Sequence, residues 1–261
     1  MNEMDTMKSL RKRMLAVSNM GRDGNLQSGF SSLEILWALY HGGMNYTQEN
    51  RMDVGHDRFV LSKGQSNLAL MTVLAECGYI GSAELETFCG IDSRISMQAD
   101  RTKFDGLIEC SAGSLGHGFP IAVGMALAAK LRRSGEHVYV LVGDGEMNEG
   151  TMWEAMLFAA SENLDNITMI VDDNGSVNKM LRGMDLPGKF SSFGFAVETV
   201  NGHNIGEIRD TLQKRDGRPR AVLAKTVRGY GCKTLMEDDS WFHRYPRADE
   251  LAGLYKEVDE F

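Results

Sequence analysis

Proline is scarce in this chain, with 4 among 261 residues against 29 glycines. Rigid linkers are therefore few and tight backbone turns many. The 4 cysteines, Cys77, Cys89, Cys110 and Cys232, form no C-x-x-C pair. That excludes a zinc-type cluster and leaves reduced, mostly buried thiols of a cytoplasmic protein as the expectation. Long apolar runs are missing too. The longest, Ile121 to Ala129, is too short to cross a bilayer. The opening residues MNEMDTMKSLRKRM lack the apolar region of a signal peptide, so no membrane partner is expected. Positive charge is in deficit, with 28 Lys and Arg against 36 Asp and Glu, a net −8. This argues against nucleic-acid binding, which rests on neutralising phosphates. It does not argue against small anions, which respond to the local field. What remains is 43% hydrophobic and 25% charged, the makeup of an ordinary globular protein with a sizeable core.

Periodicity gives the elements. Met4, Met7, Leu10, Met14 and Val17 fall at helical spacing. Gly21 to Ser32 reads as a loop, and Leu33 to Tyr40 as an apolar helix. Arg58 to Leu61 reads as a strand ending at Ser62-Lys63-Gly64-Gln65, with a helix from Leu68 to about Cys77. Cys89 to Asp105 is polar and irregular, a surface excursion of the kind that carries specificity. A glycine-rich loop, SAGSLGHG from Ser111 to Gly118, leads into a small-residue helix from Ile121 to Arg132. Beyond it, strands are expected at Val138–Gly143, Ile167–Asp172, Phe195–Val200 and Ala221–Lys225. Helices are expected at Glu149–Asn163, with Met152, Met156, Leu157 and Ala160 on one side, and at Ile205–Lys214. Apolar strands alternating with helices predict an α/β fold, a parallel sheet with helices on both faces. With no repeat and no low-complexity linker, residues 1–261 read as a single domain with a C-terminal extension from about residue 229.

The sequence feature that carries chemistry is Gly143-Asp144-Gly145-Glu146, between a strand and a helix. Ligands of open α/β sheets bind beyond the carboxyl ends of strands. Glycines let the backbone approach a ligand, and a following helix N-terminus suits a diphosphate. Asp144 offers a hard anionic oxygen to Mg²⁺. About thirty residues on, Asp172-Asp173-Asn174-Gly175 closes the next strand, so Asn174 and a carbonyl near Ser176 can join Asp144 as ligands. Both tetrapeptides are also common turns.

The stretch from Gly143 to Gly175, GDGEMNEGTMWEAMLFAASENLDNITMIVDDNG, resembles the thiamine diphosphate signature of transketolases, GDG followed about thirty residues later by Asn. Three more segments resemble the family in the family's order. RFVLSKG, Arg58 to Gly64, is similar to RDRFxLSxGH. IECSAGSLGHG, Ile108 to Gly118, is similar to the family's TGSLGQG loop and continues into VGMALAAKL. GYGCKTLMEDDSWFH, Gly229 to His243, is similar to GKGVxxMENxxxWH, with Trp241 one position early.

The resemblance implies a thiamine diphosphate-binding domain of the diphosphate type. Its metal, Mg²⁺ (or Ca²⁺ or Mn²⁺ in its place), would be held by Asp144, Asn174 and Ser176. Cofactor contacts would come from Gly113, Leu115, Gly116, Gly143, Asp144, Gly145, Glu146, Asn174, Gln65 and His243. Catalytic roles fall to His243, close to diphosphate and substrate, and to Glu149 and Glu154, which lie in the family at the subunit interface linking two cofactors. Substrate contacts fall to Asn25, Gln65, Gln98 and His243.

At Asn25, Gln65 and Gln98 this chain departs from the family, which places histidines there. Amides still donate and accept hydrogen bonds but cannot exchange protons near pH 7. An altered sugar donor or acceptor follows, phosphorylated or otherwise modified. Asn178 replaces a hydrophobe, and His117 a frequent Gln. A complete transketolase also has a pyrimidine-binding domain with a catalytic glutamate, and nothing in this chain matches it. A partner subunit carrying that domain is therefore expected, in an α₂β₂ assembly that transfers a two-carbon ketol unit from a ketose to an aldose. Two other readings stay open: the α chain of another thiamine diphosphate enzyme, such as a 2-oxo-acid dehydrogenase, and a non-catalytic paralogue.

Overall fold

The computed structural model describes residues 2–104, 106–179 and 183–261. Five strands form one parallel sheet: β1 (Arg58–Leu61), β2 (Val138–Gly143), β3 (Ile167–Asp173), β4 (Ala196–Asn201) and β5 (Arg220–Lys225), in the order β1-β2-β3-β5-β4. The helices before β2 are α1 (Glu3–Gly21), α2 (Leu26–Ala38), α3 (Asn67–Glu76), α4 (Ser82–Leu85) and α5 (Gly118–Arg132). Those after it are α6 (Gly150–Ser161), α7 (Leu186–Ser192), α8 (Ile205–Leu212), α9 (Lys233–Glu237) and α10 (Leu251–Glu260).

Side chains alternate across the pleated strands, and each face has its own core. Tyr139, Leu141, Ile170, Val222 and Ala224 pack with α1, α2, α3, α8 and α10. Val140, Val142, Val171, Ala221 and Leu223 pack with α5, α6 and α7. Strands buried on both faces explain the near-continuous Val, Ile and Leu of β2 and β3.

The expected elements recur with four differences. Gly21 to Ser32 is not all loop, because α2 starts at Leu26. Asn25 caps it by accepting from the Ser28 amide at 3.2 Å. Ser31 and Ser32 return their hydroxyls to the Ser28 carbonyl at 3.0 and 2.6 Å, so polar residues sit comfortably inside a buried helix. Met4 is 68% exposed and Leu157 59% exposed, although both fell on apolar stripes. In the excursion from Cys89, Ile95, Ala99 and Phe104 are buried anchors, while Asp105 lies outside the described residues. Cys232 is buried, but Cys77, Cys89 and Cys110 are only partly so, and all four are free.

The C-terminal segment folds back onto α1. Leu254 and Val258 join its core, and Lys12 pairs with Asp259 at 2.7 Å. Among the described residues no helix is long and apolar enough to cross a membrane.

Candidate cofactor and metal site

The register of β2 on β3 sets Gly143 beside Asp172, so the turns that follow leave the sheet as neighbours. Asp144 opens a 3-10 turn, Asp144–Asn148, ahead of α6. Its Oδ1 accepts from the Ser176 hydroxyl at 2.9 Å. Asn174 Oδ1 accepts from the Ser176 amide at 3.0 Å. The structure thus brings Asp144, Asn174 and Ser176 together.

Asp144 is buried, and among the described residues its Oδ2 has no hydrogen-bond partner. Such an oxygen is costly unless something else satisfies it. Burial raises the proton affinity of Asp144 and nearby Asp172 adds to this, while hydrogen bonds from the Ser176 hydroxyl and the Val177 amide, and then Lys63, oppose it. A divalent cation would satisfy the bare oxygen. The donors are hard oxygens, suited to Mg²⁺ and not to a soft metal. No cluster of three or more His, Cys, Asp or Glu that could hold a metal occurs among the described residues. A cation here would therefore draw on Asp144, the Asn174 amide, a turn carbonyl and oxygens that the cofactor brings.

Beside this pair lies the Ser111–Gly118 loop. Gly116 has φ +74, and a Cβ there would come within 2.6 Å of Thr151 Oγ1 and 2.7 Å of Glu149 Cβ. Only glycine fits both the conformation and the contact. A Cβ on Gly113 would overlap the side-chain carbonyl of Gln98, which also crowds Gly64. The Gln98 amide thus rests on the glycine loop. Nothing lies within 4 Å of the position where Gly145 would carry a Cβ, so that side of the residue is uncrowded.

Glu146 faces the other way. Its carboxylate accepts from Ser62 Oγ at 2.6 Å, from the Gly116 amide at 3.0 Å and from the Gly143 amide at 3.0 Å. It braces the glycine loop against the ends of β1 and β2, and its oxygens do not point into the open site. Burial raises its proton affinity, and hydrogen bonds from Ser62, Gly143 and Gly116 oppose the rise.

The remaining expected residues scatter around this centre. Gln65 is half-buried on the turn Gly64–Ser66, and Gln98 is exposed. Asn25 is 2% exposed and among the described residues its Nδ2 has no partner, so it is the least accessible of the three amides. Leu115 is exposed. Glu149 is half-buried just before α6 and Glu154 exposed on it; neither carboxylate has a hydrogen-bond partner among the described residues. His243 is exposed on the turn Asp239–His243 beside buried Trp241. Gln27 anchors that segment through the carbonyls of Leu235 and Asp238, at 2.6 and 3.2 Å. Among the described residues His243 makes no hydrogen bond to the Asp144 cluster. The Asn178 side chain lies outside the described part of the structure.

Sequence reading missed the polar network beneath the site. Lys63 forms a fully buried ion pair with Asp172. Ser31 donates to Asp172 at 2.6 Å, and Thr226 donates to its other oxygen. Although burial favours the neutral acid, Lys63, Ser31 and Thr226 hold Asp172 below the ordinary carboxylate range. The available signal was a charged residue at the end of each of two apolar strands, where an unpaired charge is rare. A cavity of about 470 Å³ lies elsewhere, at the β4 edge of the sheet. Arg11, Glu34 and His203 line it, with Arg11 and His203 both paired to Glu34.

Residues 4–254 match the family model described as transketolase, thiamine diphosphate binding domain. One of the subunits of apulose-4-phosphate transketolase from Actinobacillus succinogenes is 34% identical over 261 residues, covering 97% of this chain and 94% of that protein. The 6-deoxy-6-sulfo-D-fructose transketolase subunit SqwG of a Clostridium species is 33% identical over 229 residues, 84% of this chain and 83% of its own length. Among solved structures, transketolase from Campylobacter jejuni superposes with a TM-score of 0.89 at 27% identity. All of this chain is covered but only 43% of that enzyme, so the chain spans less than half its length. With its parallel sheet and glycine loops at the strand ends, the chain belongs to the thiamine diphosphate-binding domain family of transketolases.

Proposed function

We propose that the chain is the diphosphate-binding subunit of a two-chain, Mg²⁺-dependent transketolase. It would transfer a two-carbon ketol unit from a ketose to an aldose, in the cytoplasm, within an α₂β₂ assembly whose other subunit brings the pyrimidine-binding domain. The observation that carries this reading is the bare, buried Oδ2 of Asp144 beside Asn174 at two adjacent strand ends. That is an oxygen site suited to a cation, in a chain whose family binds thiamine diphosphate.

Asp144, Asn174 and a carbonyl at Ser176 would hold Mg²⁺, or Ca²⁺ or Mn²⁺ in its place. The amide of Gly145 and the loop of Gly113 and Gly116 would receive the diphosphate. Thiamine diphosphate, when bound, supplies the nucleophilic carbon and electron sink that the reaction needs. Gln65 and Gln98 would orient sugar hydroxyls by hydrogen bonds without trading protons. The exposed imidazole of His243 would hold or move a proton at a substrate oxygen.

An altered sugar is supported by the amides at three positions where the family has histidines. Two relatives point the same way, since their names specify apulose-4-phosphate and 6-deoxy-6-sulfo-D-fructose. The family match favours a ketol transfer over the chemistry of a 2-oxo-acid dehydrogenase. A partner is supported by the word subunit in those names. It is supported also by exposed Leu115, Leu157 and Phe158 close to Glu149 and Glu154.

Two measurements test the proposal. Native mass spectrometry of the tagged chain from its own cell, with thiamine diphosphate and Mg²⁺ present, should show a second chain and bound cofactor. Calorimetric titration of that assembly should lose Mg²⁺-dependent cofactor binding in Asp144→Ala. A lone chain without cofactor, or undiminished binding by the variant, would overturn it.

A further inference from the structure

We infer that Lys63 is a positioning residue for the metal-binding pair: its side chain ties the ends of β1, β2 and β3 together and so sets Asp144 and Asn174 relative to each other. The inference rests on the proposed cofactor site and concerns residues outside it.

Lys63 follows β1, and its backbone amide donates to the Leu141 carbonyl of β2 at 2.9 Å. Its stem then passes Gly143 at the end of β2. A Cβ on Gly143 would lie 3.7 Å from Lys63 Cγ and 3.9 Å from Cε. The ammonium ends on Asp172 of β3. Because the strand order is β1-β2-β3, one side chain spans three adjacent strand ends. Its nitrogen also lies 3.1 Å from the Ser28 carbonyl, 3.1 Å from Ser31 Oγ and 3.2 Å from Ser32 Oγ. An ammonium has three protons, so none is left for a ligand.

Both turns that carry the metal residues start from this tie. Asp144 directly follows Gly143, and Asn174 comes two residues after Asp172. Ser31, bonded to both members of the ion pair, also lies 3.5 Å from Asn174 Nδ2. Lys63 is 1% exposed, so it cannot touch a cofactor and acts through these neighbours. A buried ion pair is a poor way to gain stability, since apolar replacements serve as well. Its position beneath the two ligand-bearing turns gives it a geometric role instead.

The test uses the assembled protein with Mn²⁺ as the probe and thiamine diphosphate present. Lys63→Met keeps the stem and removes the ammonium but strands the Asp172 charge. The double variant Lys63→Met with Asp172→Asn removes both charges, and with them the tie, without leaving a buried ion. Mn²⁺ affinity should fall by about tenfold or more in both, the usual range for supports of metal ligands. The electron paramagnetic resonance spectrum of bound Mn²⁺ should change, while the double variant recovers the unfolding midpoint of the parent. A double variant with parental Mn²⁺ affinity and spectrum would overturn the inference and leave Lys63 as a purely structural residue. If Lys63→Met does not fold, the double variant decides alone. A parent that binds neither Mn²⁺ nor cofactor would overturn the cofactor site, and this inference with it.

Discussion

Replacing Glu146 by alanine should loosen the site although its carboxylate acts only as a brace. The carboxylate accepts three hydrogen bonds, from Ser62 Oγ and from the amides of Gly116 and Gly143. The variant leaves those donors without an acceptor in a fully buried place. Each stranded donor costs about 1–3 kcal/mol. Relief from burying a carboxylate offsets part of this, so a net loss of about 2–4 kcal/mol is expected. Two of the donors are backbone amides flanking the open site, so cofactor affinity should fall together with stability. Glu146→Gln keeps one acceptor oxygen but turns an NH₂ toward a donor, and should fall between parent and Glu146→Ala. Urea unfolding gives the stability change from the midpoint at constant slope. Quenching of tryptophan fluorescence by thiamine diphosphate and Mg²⁺ gives the affinity. An unchanged midpoint and unchanged affinity in Glu146→Ala would refute the brace.

Further predictions concern specificity and pH. Asn25→His, Gln65→His and Gln98→His together should raise activity of the assembled enzyme on ordinary ketose phosphates. Asn25 should contribute least, because it is buried and caps α2, and losing a cap costs about 1 kcal/mol. Equal activity in the triple variant and the parent would place specificity elsewhere. His137 is buried against Thr168 at 2.9 Å. Burial, with Arg215 and Arg220 nearby, holds it down to about 3 from 6.5. The unfolded chain takes up a proton that the folded chain refuses. Stability should therefore be intact above the ordinary value and decline as pH falls toward the folded one, by at most about 1.4 kcal/mol per pH unit from this group. Urea unfolding across that range, compared with His137→Gln, should show a shallower acid decline in the variant; identical slopes would exclude His137 as the cause.

Much of the sheet was legible because strands buried on both faces must be apolar along their length, as Val138 to Gly143 and Ile167 to Asp173 are. The pairing of Asp144 with Asn174 was legible for a related reason. One helix between parallel neighbours leaves their ends adjacent, so a residue at each end can meet. Periodicity also placed α1 and α6, since a stripe at helical spacing is a property of the chain alone.

Other features were decided only on folding. Leu157 shares a stripe with Met156 yet stands in solvent, because period tells which residues share a face and not which face is covered. The Ser and Gly residues of α2 read as loop until partners existed for them: Ser31 and Ser32 bond back within the helix, and Lys63 after β1 and Asp172 on β3 meet Ser31. Glu146 lies inside the Gly143–Glu146 motif, but its direction was set by the Gly116 amide, far earlier in the chain. Likewise Gln98 lies on Gly113 and Gly64, a contact made by three separate segments. Composition and spacing depend on neighbours along the chain, and they determined the strands, most of the helices and the turns at Asp144 and Asn174. Which buried polar groups satisfy one another depends on register and packing between distant segments, and only the tertiary structure decided that.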